Sequence, residues 1–257
     1  EDIIQTIHSV SPDVIVNAAA YTAVDKAENE SALAHTINTQ APKILAQESL
    51  KIGAWLVHYS TDYVFDGNGT KPWKETDPTT PINTYGSTKL EGEKAVINSG
   101  CKHLIFRTSW VYSARGENFI KTIIHLAQSQ DYLSVIDDQI GAPTGAELLA
   151  DVTAHSIYTA LRQPHVSGLY HLAAKGETSW YGYANFVLDK ARQSGTKLQV
   201  QAENIQPVTT DAFPQIARRP GNSRLNTRKI EHTFDLTLPL WQTGVTRMLT
   251  EIFEKKL

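Results

Sequence analysis

Residues 54–61 read Ala54-Trp55-Leu56-Val57-His58-Tyr59-Ser60-Thr61. The stretch is almost continuously apolar and does not alternate, which is typical of a strand covered on both faces of a parallel sheet. Similar short runs occupy 13–17 and 103–107, and helical patterns at 31–50 and 85–98 separate the three runs. The order strand, helix, strand, helix, strand predicts an α/β fold with a doubly wound parallel sheet.

The second half of the sequence shows a mixed pattern after a break at Gly141-Ala142-Pro143-Thr144-Gly145. Further elements are predicted as helices at 119–128, 146–161, 179–193 and 240–253, and as strands at 133–136, 168–172 and 198–200. We therefore expect a Rossmann-like dinucleotide-binding domain over residues 1–140. Residues 141–257 are expected to form mainly a smaller α/β substrate-binding domain. Some segments of this second half could pack with the first domain.

The glycine-rich unit that normally opens a dinucleotide-binding fold is absent from this sequence. Such a fold begins with a strand, a glycine-rich turn and a helix whose amino terminus holds the pyrophosphate. Here residue 1 already lies inside the helix predicted before Val14, and no G-x-x-G-x-x-G occurs. We expect the first domain to be incomplete at its amino end, by roughly 40 residues, enough for one strand-turn-helix-strand unit.

Composition excludes several classes of partner. The 257 residues are 41% hydrophobic and carry a net charge of -3, with no basic stripe for nucleic acid. No apolar run approaches the ~18 residues of a membrane span. The single cysteine, Cys101, has no intramolecular partner, and no signal peptide is visible, so a cytoplasmic protein is expected.

The segment Tyr85-Gly86-Ser87-Thr88-Lys89 places a phenol and an ammonium group on one face of a helix. A lysine at i+4 favours the phenolate and is expected to lower the tyrosine pKa from ~10. Thr61, at the end of the preceding strand, is placed to steer a substrate oxygen. The spacing alone arises easily by chance and also fits a surface pair, but its context favours carbonyl reduction.

Six blocks together resemble the extended short-chain dehydrogenase/reductases and, within them, the dTDP-4-dehydrorhamnose reductase family. They span nearly the whole chain and lie at 12–28, 58–65, 85–89, 107–112, 141–144 and 219–225. The resemblance implies NAD(P)H-dependent reduction of the C4 keto group of dTDP-4-dehydro-L-rhamnose to dTDP-L-rhamnose. The choice between NADH and NADPH stays open, because the discriminating residue would lie in the absent unit.

The resemblance also implies roles for individual residues. Tyr85 would protonate the C4 oxygen, Lys89 would bind the nicotinamide ribose and tune Tyr85, and Thr61 would hydrogen-bond the reacting oxygen. The implied cofactor-binding residues are Ala18, Ala19, Ala20, Tyr21, Thr22, Tyr59, Tyr85 and Lys89. The implied substrate-binding residues are Thr61, Asp62, Tyr85, Trp110, Arg219, Asn222 and Arg224, with the arginines suited to the diphosphate.

The sequence does not identify a metal site or the oligomeric state. Some members of the family are described as magnesium-dependent, and Glu147 and Glu251 lie on predicted helices, but a lone glutamate is usually solvated. No metal ligand is therefore assigned, and a homodimer is compatible with the family.

Other interpretations remain open at the level of sequence. A nucleotide-sugar 4,6-dehydratase carries Thr-Asp-Glu where this chain has Thr61-Asp62-Tyr63. Without that glutamate, this chain lacks an evident acid or base for the elimination of water. An epimerase shares the chemistry, although the blocks around Trp110 and Arg219 do not resemble that group. A regulatory subunit, as in the β subunit of methionine adenosyltransferase, shares the fold without catalysis. Individual residues also have simpler explanations, namely tight packing for the alanines, a core role for Trp110 and solvation for the arginines.

Overall fold

The computed structural model describes residues 2–254. Its helices are α1 (Asp2–Val10), α2 (Val24–Asn29), α3 (Ser31–His35), α4 (Ala41–Ile52), α5 (Thr84–Ser99), α6 (Phe119–Ser129), α7 (Ala146–Ala160), α8 (Trp180–Gln193), α9 (Arg228–Phe234) and α10 (Trp241–Glu254). Its strands are β1 (Val14–Asn17), β2 (Trp55–Thr61), β3 (Lys102–Thr108), β4 (Val111–Tyr112), β5 (Leu133–Ile136), β6 (Ile140–Gly141), β7 (Thr144–Gly145), β8 (Gly168–His171), β9 (Thr178–Ser179) and β10 (Ile205–Val208). Within this part of the chain, no helix combines the length and the apolar character that crossing a membrane requires.

The central sheet is parallel, with the strand order β1-β2-β3-β8. Side chains of β2 and β3 alternate between its two faces, as the period of a strand requires. Leu56 and Ile105 pack against α4 and α5 on one face, while Val57 and Phe106 pack toward α7 and α9 on the other. Helices on both faces confirm the predicted α/β fold and explain why these strands are continuously apolar.

A second core lies outside this sheet and joins elements from distant parts of the sequence. Helices α6, α8 and α10 pack around Ile120, Tyr183, Val187 and Trp241. Strand β5 belongs to the same cluster and pairs in parallel with β10. Because α7, α9 and β8 pack instead with the central sheet, the chain passes between the two cores more than once. The domain boundary at residue 140 stays a prediction.

Two sequence-based elements are wrong in detail. No strand forms at 198–200, because the N–H groups of Gln199 and Val200 both donate to the carbonyl of Ala127 in α6. The strand in this region is β10, which the sequence analysis missed. The helix predicted at 31–50 is divided by a π-helical turn, Thr36–Gln40, just before Pro42. Proline has no N–H for the carbonyl four residues back, so the regular ladder is interrupted there.

Candidate active site

The amino terminus of α5 is held by hydrogen bonds from two side chains. Asn83 caps the helix, since its Oδ1 accepts the backbone N–H of Gly86 at 2.8 Å. Glu28 of α2 accepts both the N–H and the hydroxyl of Thr84, at 2.8 and 3.0 Å. These contacts fix the position of Tyr85, which lies in the first turn of α5.

The structure brings Tyr85, Thr61 and Lys89 together at the carboxyl end of β2. The side chains of Tyr85 and Thr61 line the same cavity, and Thr61 is close enough to lower the pKa of the Tyr85 phenol. Lys89 is buried one turn along α5, and its Nζ donates to the carbonyl of Tyr59 at 2.6 Å. Tyr85 and Lys89, predicted from their spacing, therefore lie near Thr61, predicted from its position at the end of the strand.

Burial, and not Lys89, dominates the ionisation of the phenol. It raises the pKa of Tyr85 to about 12, against a smaller lowering by the Thr61 hydrogen bond. The sequence-based expectation that Lys89 lowers this pKa is therefore wrong. Burial also lowers the pKa of Lys89 to about 8, opposed by the carboxylate of Glu93. At neutral pH the phenol holds its proton.

Asp62 follows Thr61 in the chain and begins the short 3₁₀ turn Asp62–Val64 after β2. Burial raises its pKa to about 7, against hydrogen bonds from Ser223 and Thr61. Its Oδ2 has no hydrogen-bond partner among residues 2–254. A carboxyl group with a free oxygen and a pKa near neutrality can either donate or accept a hydrogen bond to a sugar hydroxyl.

These side chains line a cavity of about 430 Å³. Its walls are Thr22, Val24, Ser60, Thr61, Asp62, Tyr63, Tyr85, Thr108, Ser109, Trp110, Val111 and Trp180. Three of the hydroxyls, those of Ser60, Thr108 and Ser109, are buried without a partner in the described part of the chain. Buried polar groups are normally paired, so these hydroxyls are available for a polar ligand.

Trp110 forms one wall of the cavity and is held there by residues that are distant in the sequence. Its ring stacks on Trp180 of α8 with the centroids 3.8 Å apart. Gly141 also lies against the indole, since an added Cβ there would come within 2.7 Å of it. Trp180 is not predictable from the sequence as a wall of the cavity, because nothing in the local pattern of α8 distinguishes it from a core aromatic.

Arg219 lies next to this cavity. It lines an adjoining cavity of about 310 Å³ that shares Tyr63 and Trp180 with the first. Its Nη2 donates to Asp25 at 2.6 Å, whereas its Nη1 is buried with no partner among the described residues. One edge of the guanidinium is thus neutralised and the other remains available.

Asn222 and Arg224 have their polar groups engaged within the protein. The Nδ2 of Asn222 donates to the carbonyl of Lys71 at 2.9 Å, and its Oδ1 accepts the N–H of Arg224. The guanidinium of Arg224 pairs with Glu177 at 2.7 Å. Neither residue lines the two cavities described above. The contacts seen here fasten a loop, and substrate binding by these two residues stays a prediction.

The predicted cofactor-binding loop comprises residues 18–22. Of these, Thr22 lines the cavity that contains Tyr85. Ala19 and Tyr21 are held by side chains, because their N–H groups donate to Asn17 Oδ1 at 3.2 Å and Asn38 Oδ1 at 2.8 Å. Ala18 and Ala20 complete this loop at the end of β1. The hydroxyl of Tyr59 bonds to Thr153 of α7 at 2.6 Å, so that only its backbone faces Lys89.

The described residues fit the nicotinamide end of a dinucleotide. Tyr85 and three unpaired hydroxyls line the cavity, and the buried Lys89 lies one turn along α5 from Tyr85, so these groups would be available to a nicotinamide and its ribose. Strand β1 is at the edge of the sheet, and Val16 on it is 46% exposed.

No group of three or more His, Cys, Asp or Glu side chains within residues 2–254 is placed to hold a metal. Glu147 lies 3.9 Å from Arg247, and the magnesium suggestion finds no support.

A family model described as the RmlD substrate binding domain matches residues 1–253. The chain belongs to this RmlD family. It is 56% identical over 253 residues to the dTDP-4-dehydrorhamnose reductase of Escherichia coli K12, covering 98% of this chain and 84% of that protein. The Salmonella typhimurium LT2 enzyme of the same name is 57% identical over 249 residues, with 97% and 83% coverage.

The solved structures agree with the sequence relatives. A dTDP-4-dehydrorhamnose reductase from Bacillus anthracis, in complex with NADP, superposes with a TM-score of 0.88 at 35% identity and covers 97% of this chain and 84% of that one. The resemblance and the fold predicted from the sequence are thereby confirmed. The identity of 56% and 57% to two relatives named dTDP-4-dehydrorhamnose reductase, together with the NADP-bound structure, favours the reductase interpretation over the regulatory-subunit, dehydratase and epimerase alternatives.

Proposed function

We propose that the protein reduces the C4 keto group of dTDP-4-dehydro-L-rhamnose with NAD(P)H to give dTDP-L-rhamnose. The observation that carries the proposal is a protonated phenol, Tyr85, which lines one cavity together with Thr61 and is followed one helical turn later by the buried ammonium of Lys89. The name shared by its relatives and the NADP bound in one of them support the same reaction.

Each residue has a role that follows from its environment. The cofactor, when bound, supplies the hydride. Thr61 and Tyr85 hold the carbonyl oxygen, and Tyr85 gives it a proton, which a pKa of about 12 keeps on the phenol at neutral pH. Lys89 stabilises the phenolate that forms, and binds the nicotinamide ribose.

The remainder of the site would hold the sugar and its nucleotide. Asp62, with its free Oδ2, bonds a sugar hydroxyl, and Trp110 provides an apolar wall for the ring. The unpaired Nη1 of Arg219 meets a diphosphate oxygen, for which a guanidinium is well suited. A homodimer and a cytoplasmic location stay predictions.

The test is the oxidation of NADPH and NADH by the full-length protein with dTDP-4-dehydro-L-rhamnose. Tyr85→Phe is expected to lower kcat by ~10²-fold or more, because it removes the proton donor and keeps the ring. Tyr158→Phe, an exposed tyrosine on α7, is the matched control and is expected to leave the rate unchanged. A folded full-length protein without turnover on either cofactor would point instead to the regulatory subunit.

A further inference from the structure

The short helix α2 carries a carboxylate that reaches a segment far away in the sequence. Asp25 accepts the guanidinium of Arg219 at 2.6 Å through Oδ2, although 194 residues separate them. Its other oxygen, Oδ1, accepts the backbone N–H of Ala217 at 3.0 Å. Both oxygens of this single carboxylate therefore accept hydrogen bonds from residues 217–219.

Residues 209–217 form an arm that has few other attachments. At its beginning, the N–H of Thr210 donates to Asp138 at 2.9 Å. Between the two attachments the arm is exposed, including the apolar side chains of Phe213 and Ile216. Phe213 nevertheless lines the cavity that adjoins the reacting site, together with Arg219. This cavity wall is held by the bonds of Asp25 to Ala217 and Arg219 and by the bond from Asn83 Nδ2 to the carbonyl of Arg218 at 2.8 Å.

Helix α2 also contacts the reacting site itself. It directly follows the predicted cofactor loop, and Thr22 and Val24 line the cavity that contains Tyr85. One turn after Asp25, Glu28 fixes Thr84 at the start of α5. The same six-residue helix thus bonds the catalytic helix on one side and the arm on the other.

We propose that Asp25 is a positioning residue for substrate binding. Its carboxylate fixes the guanidinium of Arg219 so that the unpaired Nη1 is presented to an anionic group of the substrate, and it holds the arm against the cavity through Ala217. The inference rests on the proposed function, in which Arg219 binds the diphosphate. The hydrogen bond from Arg219 to Asp25 is charge-assisted, and the second carboxylate oxygen is fixed by the N–H of Ala217, so the carboxylate supplies orientation as well as attraction.

Kinetics of the full-length protein test this role. Asp25→Asn keeps the shape and one acceptor oxygen but removes the charge that orients Arg219. We expect the KM for the nucleotide sugar to rise ~10-fold, with kcat and the KM for NADPH within about threefold, as expected when ground-state binding alone is lost. Arg219→Gln is expected to give a similar rise. In the double variant, Asp25→Asn should add less than about twofold, because the two residues act as one unit.

The control is Asp189→Asn. Asp189 also pairs with an arginine, Arg192 at 3.1 Å, but on the exposed face of α8. Its removal is expected to leave the KM for the sugar unchanged. Thermal unfolding of each variant reports whether it is folded. Should Asp25→Asn not fold, Arg219→Lys replaces it, since lysine keeps the charge without the fork, and the same rise is expected.

Calorimetric binding of dTDP separates failure of this inference from failure of the proposed function. If the parent protein shows no turnover, the reductase proposal fails, while a ~10-fold weaker dTDP affinity in Asp25→Asn still supports the positioning role. An unchanged KM for the sugar and an unchanged dTDP affinity in Asp25→Asn would overturn it. Independent, multiplying effects of Asp25→Asn and Arg219→Gln would overturn it as well.

Discussion

Three ionisable side chains at the candidate site are all shifted toward their neutral forms by burial. The pKa rises to about 12 for Tyr85 and to about 7 for Asp62, and it falls to about 8 for Lys89. Each shift reflects the free energy of placing a charge in a poorly solvated site. Such shifts are frequent where a protein prepares groups for chemistry, and they reduce the stability of the free protein.

Asp62 makes this effect measurable at the level of one residue. Its pKa is 3.8 in the reference state and about 7 when folded, so the folded protein binds more protons between these values. Stability contributed by the protonated form is therefore lost as the pH rises through 7. Asp62→Asn cannot ionise, and we expect it to gain stability relative to the parent by about 2 kcal/mol between about pH 5 and about pH 8.

Urea unfolding of both proteins at the two pH values measures this difference. Asp211→Asn, at an exposed position, is the control and is expected to show no such gain. A parent and an Asp62→Asn variant that lose stability in parallel over this range would show that the carboxylate stays charged in the folded state.

At the scale of the element, α5 is placed by two glycines that allow close backbone approach. A Cβ at Gly86 would lie 2.1 Å from the carbonyl oxygen of Tyr63, and one at Gly92 would lie 2.2 Å from that of Asn38. The helix is thus pressed against the turn that follows β2. This contact sets where the first turn of α5, which carries Tyr85, lies relative to the end of β2.

Gly86→Ala is expected to destabilise the protein by about 2 kcal/mol or more, since the clash involves backbone that cannot move freely. Alanine would otherwise favour a helix by about 1 kcal/mol, so the sign of the change is informative. Chemical denaturation gives the value, with Ser87→Ala on the next position as the control. A stabilised Gly86→Ala variant would mean that α5 can move away from the turn.

At the scale of the whole molecule, a buried ion pair links α5 to the central sheet. Arg107 of β3 forms a bidentate pair with Glu93 of α5, at 2.9 and 2.7 Å, and both side chains are at most 5% exposed. The guanidinium also lies over the ring of Phe65, 5.0 Å from its centroid. The pair joins the catalytic helix to the strand beside β2.

Arg107→Met is expected to lower the free energy of unfolding by about 3–5 kcal/mol, because it leaves the carboxylate of Glu93 buried without its partner. Arg247→Met removes an exposed arginine that lies 3.9 Å from Glu147 and should change stability by less than about 1 kcal/mol. Equal losses in the two variants, measured by urea unfolding, would contradict a structural role for the buried pair.

The sequence was sufficient for whatever depends on local pattern. Continuous apolar runs predicted β1, β2 and β3, because strands covered on both faces have no polar side to show. The i+4 spacing of Tyr85 and Lys89 placed them on one helix face by geometry alone. Local pattern was not sufficient at 198–200, where the backbone bonds to α6 instead of forming a strand, or at 31–50, where a π-helical turn before Pro42 divides the helix.

Only the tertiary structure decided features that depend on distant residues or on the exclusion of water. It pairs Asp25 with Arg219, stacks Trp110 on Trp180, and engages Arg224 with Glu177. It also sets the pKa of Tyr85, which burial raises where the sequence predicted a lowering by lysine. The reason is that ionisation and long-range contacts follow from packing and desolvation, whereas sequence spacing reports only what neighbours along one helix or strand can reach.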